Sequence, residues 1–143
     1  MVNDNLIENG DFALGFDSWD ATGSNYKLLE NEHGKYVDLS GSPYVSLNQS
    51  VKIDPNSVYE VSYLGYGNAN LVYGNGRLQL NKWTSNGGSA DTELINVDRN
   101  NKWTKYSTTV NSGEKKYSRI QLQFNAQKFQ GLQFTDVIVK KIG

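Results

Sequence analysis

Apolar and polar residues alternate with period two along almost the whole chain, and this restricts the fold more than any other feature of the sequence. In YVSLNQSVKI, Val45, Leu47, Val51 and Ile53 fall on one side, with Gln49 breaking the set. In VYEVSYLGY, Tyr59, Val61 and Tyr63 oppose Glu60, Ser62 and Leu64. No segment sustains a helical period. NYKLLENEHG and NAQKFQGLQF come nearest, but both are short and carry Asn, Gly or aromatic residues at interior positions. Strands are expected near Tyr26–Glu30, Lys35–Leu39, Tyr44–Ile53, Val58–Tyr66, Arg77–Trp83, Thr92–Val97, Lys105–Val110, Arg119–Asn125 and Leu132–Ile142. Between them sit the turn-forming stretches SGSP, DPNS, YGNG, SNGGS, DRNN and NSGEK. Short strands at roughly ten-residue spacing predict an all-β fold, a β-sandwich jelly roll of two antiparallel sheets.

The chain has 143 residues, enough for one domain spanning 1–143 that buries roughly two-thirds of its unfolded surface. Acids and bases are interspersed and the net charge is −1, so nothing points to nucleic acid or an anionic membrane. Cysteine is absent, which excludes a disulfide framework and thiolate metal ligands. No apolar run approaches the ~20 residues of a membrane-spanning helix. The opening MVNDNLIENGDF has neither a basic n-region nor an apolar h-region, so no signal peptide is expected here. An exported parent would carry its signal elsewhere or have lost it.

Two strands have an unusual polar side. In RLQLNKW, Leu78, Leu80 and Lys82 share one parity while Arg77, Gln79, Asn81 and Trp83 share the other. In RIQLQFN the apolar set is Ile120, Leu122 and Phe124, against Arg119, Gln121, Gln123 and Asn125. An ordinary solvated face would carry more Lys, Glu, Thr and Ser. Each amide offers a donor and an acceptor side by side, as vicinal sugar hydroxyls do, and an Arg fork suits hydroxyl or carboxylate oxygens. A net contribution of only about 0.5–1.5 kcal/mol per neutral hydrogen bond means that several must act together. Trp83 follows the parity of Gln79 and Asn81 and would stack against a sugar ring, with Tyr66 and Arg77 at the rim. Arg119 is expected to pair with a neighbouring acid, and Trp103, just before a strand, to plug the end of the sandwich.

Catalysis has little support. The one histidine, His33, lies in the turn NEHGK. A glycosidase needs two carboxylates facing each other across a cleft, and neither amide-bearing strand carries one. YGN occurs twice around ANLV, but no Lys-Ser/Thr or dinucleotide fingerprint follows.

The opening NLIENGDFALGFDSWDATG resembles the start of carbohydrate-binding modules of families 4, 9, 16 and 22, whose pattern is roughly N-L-x-x-N-G-x-F-E-x-G-x-x-x-W. The resemblance continues in order through HGKYVDLSG, YVSLNQSVKIDPNSVYEVSYLGYG, NKWTKYSTTV and LQFTDVIVKKI, spanning essentially the whole chain. It implies a jelly roll of the galactose-binding type and a non-catalytic module holding sugar on a concave sheet or at a loop rim. It also implies a structural Ca²⁺, carried over onto Asp136, the Glu32 side chain and the Lys35 carbonyl. The family's Glu after the Phe is Ala13 here, and Asp11 or Glu8 is expected to compensate. Trp19 sits where some members place a stacking Trp and others a core one.

The sequence therefore reads as a carbohydrate-binding module, monomeric within a larger extracellular or cell-surface protein, ancillary to a glycan-active enzyme or part of a tail. Its sugar-contacting residues are expected to be Trp19, Tyr66, Arg77, Gln79, Asn81, Trp83, Gln121, Gln123 and Asn125. The metal set is Glu32, Lys35, Asp136 and Asp11. A β-linked glucan or mannan matches a row of repeated amides. The rival readings are a protein-contact module of a phage tail or surface assembly and, less well supported, a small glycan-active enzyme.

Overall fold

The alternating segments become the strands of two five-stranded antiparallel sheets. The computed structural model describes residues 5–23, 26–32, 34–39, 44–67, 76–84, 90–98, 100–127 and 132–143. His33, the turns SGSP and SNGGS, and ANLV lie outside those residues. In chain order the elements are β1 (Asp20–Gly23), β2 (Lys27–Asn31), β3 (Gly34–Asp38), β4 (Tyr44–Lys52), β5 (Val58–Tyr66), β6 (Arg77–Thr84), β7 (Ala90–Asn96), β8 (Trp103–Asn111), the helical turn α1 (Ser112–Lys115), β9 (Tyr117–Gln127) and β10 (Gln133–Lys141). The first sheet runs β1-β4-β9-β6-β7 and the second β2-β3-β10-β5-β8. All nine expected strands form. Two elements were not expected: β1, whose four residues are all exposed and so carry no alternation, and α1, a single turn capped by the Asn111 side chain.

Parity decides what is buried. Val45, Leu47 and Val51 of β4, Leu78 and Leu80 of β6, and Ile120, Leu122, Phe124 and Ala126 of β9 meet Val37, Tyr59, Val61, Tyr63, Phe134 and Val139 of the second sheet in one core. Phe124 and Phe134 stack across the core at 3.9 Å between ring centroids. Gln49 breaks the pattern of β4 for a reason the structure makes plain. Its Nε2 donates to the Glu8 carbonyl at 3.0 Å and its Oε1 accepts from the Glu8 amide at 2.8 Å, so one side chain clamps the N-terminal segment.

That segment runs beside β10. The Leu6 amide donates to the Val139 carbonyl at 2.7 Å, Asn5 Nδ2 donates to Val137 O at 3.0 Å, and the Val137 amide donates to Gly10 O at 3.0 Å. It delivers Phe12, fully buried, and Trp19, 7 % exposed, into the core. Phe12 adopts a left-handed backbone, φ 59°, costing about 1–2 kcal/mol. Its ring packs on Trp19 at 5.1 Å and on Phe134 at 5.5 Å, which offsets that strain.

Candidate functional site

The two amide-bearing strands are neighbours. β6 and β9 pair antiparallel with Arg77 opposite Asn125, Gln79 opposite Gln123, Asn81 opposite Gln121 and Trp83 opposite Arg119. Residues directly opposite share a side of the sheet, and the other side of both strands is core. Seven of the nine sequence-expected sugar contacts, Arg77, Gln79, Asn81, Trp83, Gln121, Gln123 and Asn125, therefore lie together on the outer face of the first sheet. β4 extends this face with Ser46, Asn48, Ser50 and Lys52, opposite Asn125, Gln123, Gln121 and Arg119. β7 extends it on the other side with Thr92, Leu94 and Asn96.

The amides are held by one another. Asn81 Oδ1 accepts from Gln79 Nε2 at 3.2 Å and from the Thr92 hydroxyl at 2.8 Å, while Asn81 Nδ2 donates to Gln121 Oε1 at 3.1 Å. Gln121 Nε2 donates to Asn48 Oδ1 at 3.4 Å. Asn125 Nδ2 donates to Gln79 Oε1 at 3.4 Å, and Arg77 Nε donates to Asn125 Oδ1 at 3.3 Å. Asn81 and Asn125 are only 7 % and 3 % exposed. The result is a fixed polar floor rather than a set of freely rotating side chains. Where β6 ends beside the start of β9, the Arg119 guanidinium lies 5.3 Å from the centre of the Trp83 ring, not against an acid as expected. The Trp83 indole N–H is buried without a hydrogen-bond partner.

No outward position of β4, β9, β6 or β7 carries a carboxylate. The acids of β7 lie opposite Leu80 and Lys82 on the inward side. There Glu93 sits 3.7 Å from Lys82 Nζ and accepts from the Thr108 hydroxyl at 2.9 Å. Asp91 accepts a hydrogen bond from the Tyr117 hydroxyl. Desolvation, then that bond and the charge of Asp91, push the Tyr117 pKa up to about 12. These groups are structural: their partners are used up within the fold.

Two expected sugar contacts lie elsewhere. Trp19 is a core residue, with its ring stacked on Phe12 and its indole N–H donating to Asn9 O at 3.0 Å. Tyr66 belongs to the second sheet, opposite Trp103 on β8, with the two rings 5.6 Å apart. Trp103 is half-buried on the outside of the second sheet instead of plugging the sandwich end, edge-on to Tyr36 at 5.3 Å.

A cavity of about 620 Å³ opens beside that aromatic group, lined among others by Asp11, Lys35, Tyr36, Trp103, Thr135 and Asp136. It gathers three of the four expected metal residues, but Glu32 is not in its lining. Burial, then the charge of Asp11, raises the Asp136 pKa. The Lys35 carbonyl accepts from the Thr135 hydroxyl at 2.7 Å, and Lys35 Nζ reaches Ala13 O at 3.3 Å. Among the described residues no three acids or histidines converge on one point. The donors fit a hard cation in kind, since two carboxylates and carbonyl oxygens suit Ca²⁺. In number they fall short of a closed cage.

The sequence matches no family model and no curated protein. Its structure does have relatives. It superposes on a tailspike protein 4 chain of bacteriophage CBA120 with a TM-score of 0.73, at 17 % identity over 97 % of this chain. The chain spans only 22 % of that tailspike chain. A family 16 carbohydrate-binding module gives a TM-score of 0.71 at 17 % identity, covering 94 % of this chain and 99 % of that one. The family 61 module TmCBM61, solved in complex with β-1,4-galactotriose, gives 0.64 at 16 % identity, covering 98 % and 99 %. The fold is that of the carbohydrate-binding β-sandwiches.

Sequence reasoning missed Asn48, Thr92 and Lys52 as members of the face and assigned Arg119 a different partner. For β4 the signal was present, because Ser46, Asn48 and Ser50 alternate with Val45 and Leu47. Strand neighbours, which join that row to β9, were not readable from alternation.

Proposed function

We propose that the chain is a non-catalytic carbohydrate-binding module that holds a polysaccharide or oligosaccharide on the outer face of the first sheet. The observation that carries this reading is the interlocked amide floor, five strand-borne amides from β4, β6 and β9 (Asn48, Gln79, Asn81, Gln121 and Asn125) hydrogen-bonded in one chain and backed by an apolar core. Fixed donor–acceptor pairs meet vicinal hydroxyls without loss of side-chain entropy on binding. A β-linked chain such as a glucan or mannan, laid across the rows, engages the same chemistry repeatedly. Among the described residues β4, β6, β7 and β9 turn no carboxylate outward and Asp20 on the edge strand β1 stands alone, so the pair of acids that glycoside hydrolysis needs is missing from this face and the role is retention of a parent protein on its polymer. The fold's likeness to carbohydrate-binding modules, and to part of a phage tailspike, supports an extracellular or surface setting. A Ca²⁺ at Asp11 and Asp136, with backbone carbonyls, would neutralise two acids that now oppose each other.

Calorimetry against a panel of soluble oligosaccharides, with Gln121→Ala beside the wild type, tests the reading. Saturable binding that weakens by about ten-fold or more in the variant supports it. Silence across a broad panel removes it and favours a protein-contact module. Binding that survives the substitution moves the site toward the cavity beside Trp103.

A further inference from the structure

We propose that the end of this face built by Lys52, Arg119 and Trp83 receives a carboxylate carried on the sugar chain, so that the ligand is an acidic glycan. The inference rests on the amide face being the glycan site. Lys52, Arg119 and Trp83 stand directly opposite one another across β4, β9 and β6. Like charges placed opposite on neighbouring strands oppose folding, and an ordinary solvated face would put an acid in one of these positions. Neither cation forms an ion pair among the described residues. The outward acid of the first sheet, Asp20 on the edge strand β1, pairs with Asn48. Asn48 lies four residues along β4 from Lys52, roughly 13 Å and beyond the screening length of about 8 Å.

A second observation points the same way. The Arg119 guanidinium rests on the Trp83 ring, which holds it in place, while Arg119 itself stays exposed to a ligand. At its surface the corner thus offers two donor groups, the Lys52 ammonium and the Arg119 guanidinium, beside the Trp83 ring. A sugar hydroxyl can accept from either group, but it brings no charge to set against two cations. An ionised carboxylate only accepts, and its two oxygens match the guanidinium fork. Arg77 lies six residues from Trp83 on β6, roughly 20 Å away, with its Nε spent on Asn125. A chain of several sugars lying along the amide floor reaches both cationic ends.

The test is calorimetric titration with oligogalacturonate and oligomannuronate, each beside its carboxyl-reduced neutral form, at low and at high salt. The acidic forms are expected to bind at least about ten-fold more tightly than their reduced partners, with the gap narrowing as salt rises. Arg119→Gln is expected to remove most of that gap, read as the ratio of acidic to carboxyl-reduced affinity within the same variant. Arg119 is exposed, and a melting curve checks that the variant folds. Lys52→Gln provides the same reading without touching the Trp83 stack. Equal binding of acidic and reduced forms, or variants that weaken both alike, overturns the acidic-ligand inference and leaves the amide-face reading standing. Failure of every sugar, acidic or neutral, overturns both.

Discussion

Asn81 fixes the amide face in one arrangement, because all of its side-chain hydrogen-bonding capacity but one donor is committed to Gln79, Thr92 and Gln121. Asn81→Ala leaves those three groups without their partner on a nearly buried site. The expected result is a loss of about 1–3 kcal/mol of stability by urea unfolding, together with weaker sugar binding. Asn81→Asp keeps the acceptor but removes the donation to Gln121, and should lose binding more than stability. Tyr117 gives a prediction in pH. Its folded pKa, pushed up to about 12, lies above the ordinary phenol value of about 10. The neutral hydroxyl therefore contributes stability that is fully present below about pH 10 and is lost as pH rises toward 12. Alkaline melts of Tyr117→Phe should show a shallower decline across that window, and an unchanged decline would count against this account. Residue parity was readable from the sequence: it placed seven polar side chains on one side without any structure. The roles of Trp19 and Tyr66 were not readable, because stacking on a sugar and packing in a core require the same ring. Which of the two occurs depends on contacts made from distant segments, Phe12 and Phe134 for Trp19, and Trp103 for Tyr66.

At the scale of elements, the N-terminal segment behaves as an extra strip laid along the bulged strand β10, whose register shifts between Thr135 and Ile138. Gly10 permits that close approach: a Cβ there would run into the backbone carbonyl of Val137. Because the obstacle is main chain, it cannot rotate away. Gly10→Ala is expected to destabilise by about 2–4 kcal/mol, measured as a shift in the unfolding midpoint. Gln49→Leu removes both contacts to the Glu8 backbone and should cost about 1–3 kcal/mol, although Leu suits the apolar parity of β4. An unchanged midpoint in Gln49→Leu would show that the clamp is incidental. The nine alternating strands were legible because each buries one side, whereas β1, exposed along its length, has nothing to alternate against. The pairing order was not legible. Alternation says which residues turn inward and is silent on which strand lies next to which.

For the whole molecule, the two sheets present surfaces of different chemistry, a donor-rich amide floor on one and an aromatic cavity with opposed acids on the other. The cavity yields a prediction about metal. In chelator, burial and then the charge of Asp11 hold the pKa of Asp136 above its ordinary value. Its contribution therefore favours the fold at low pH and is lost as pH rises through the raised value. Ca²⁺ binding there should reverse that sign and raise the melting temperature, with a stabilisation of about 2.7 kcal/mol once the ion is at a hundred times its dissociation constant. Asp136→Asn should abolish the response to Ca²⁺ while raising stability in chelator. A melting curve indifferent to Ca²⁺ at millimolar concentration would count against the site. The family resemblance pointed to this corner in the sequence, but Ala13 in place of a carboxylate left the donor set short, and no local pattern shows what compensates.

The amide floor has a further property that follows from sheet geometry alone. Its side chains recur at the strand spacing of about 4.8 Å in one direction and at every second residue in the other, so it works as a grating. A uniform polymer has several equivalent positions on such a grating and can slip from one to the next without leaving the surface. Longer chains then gain from the number of positions open to them, and residence outlasts any single contact. The Lys52–Arg119–Trp83 row, with two cations against the single Arg77 at the far end, breaks the repeat unevenly. It gives the ruler a zero mark, and with it a direction.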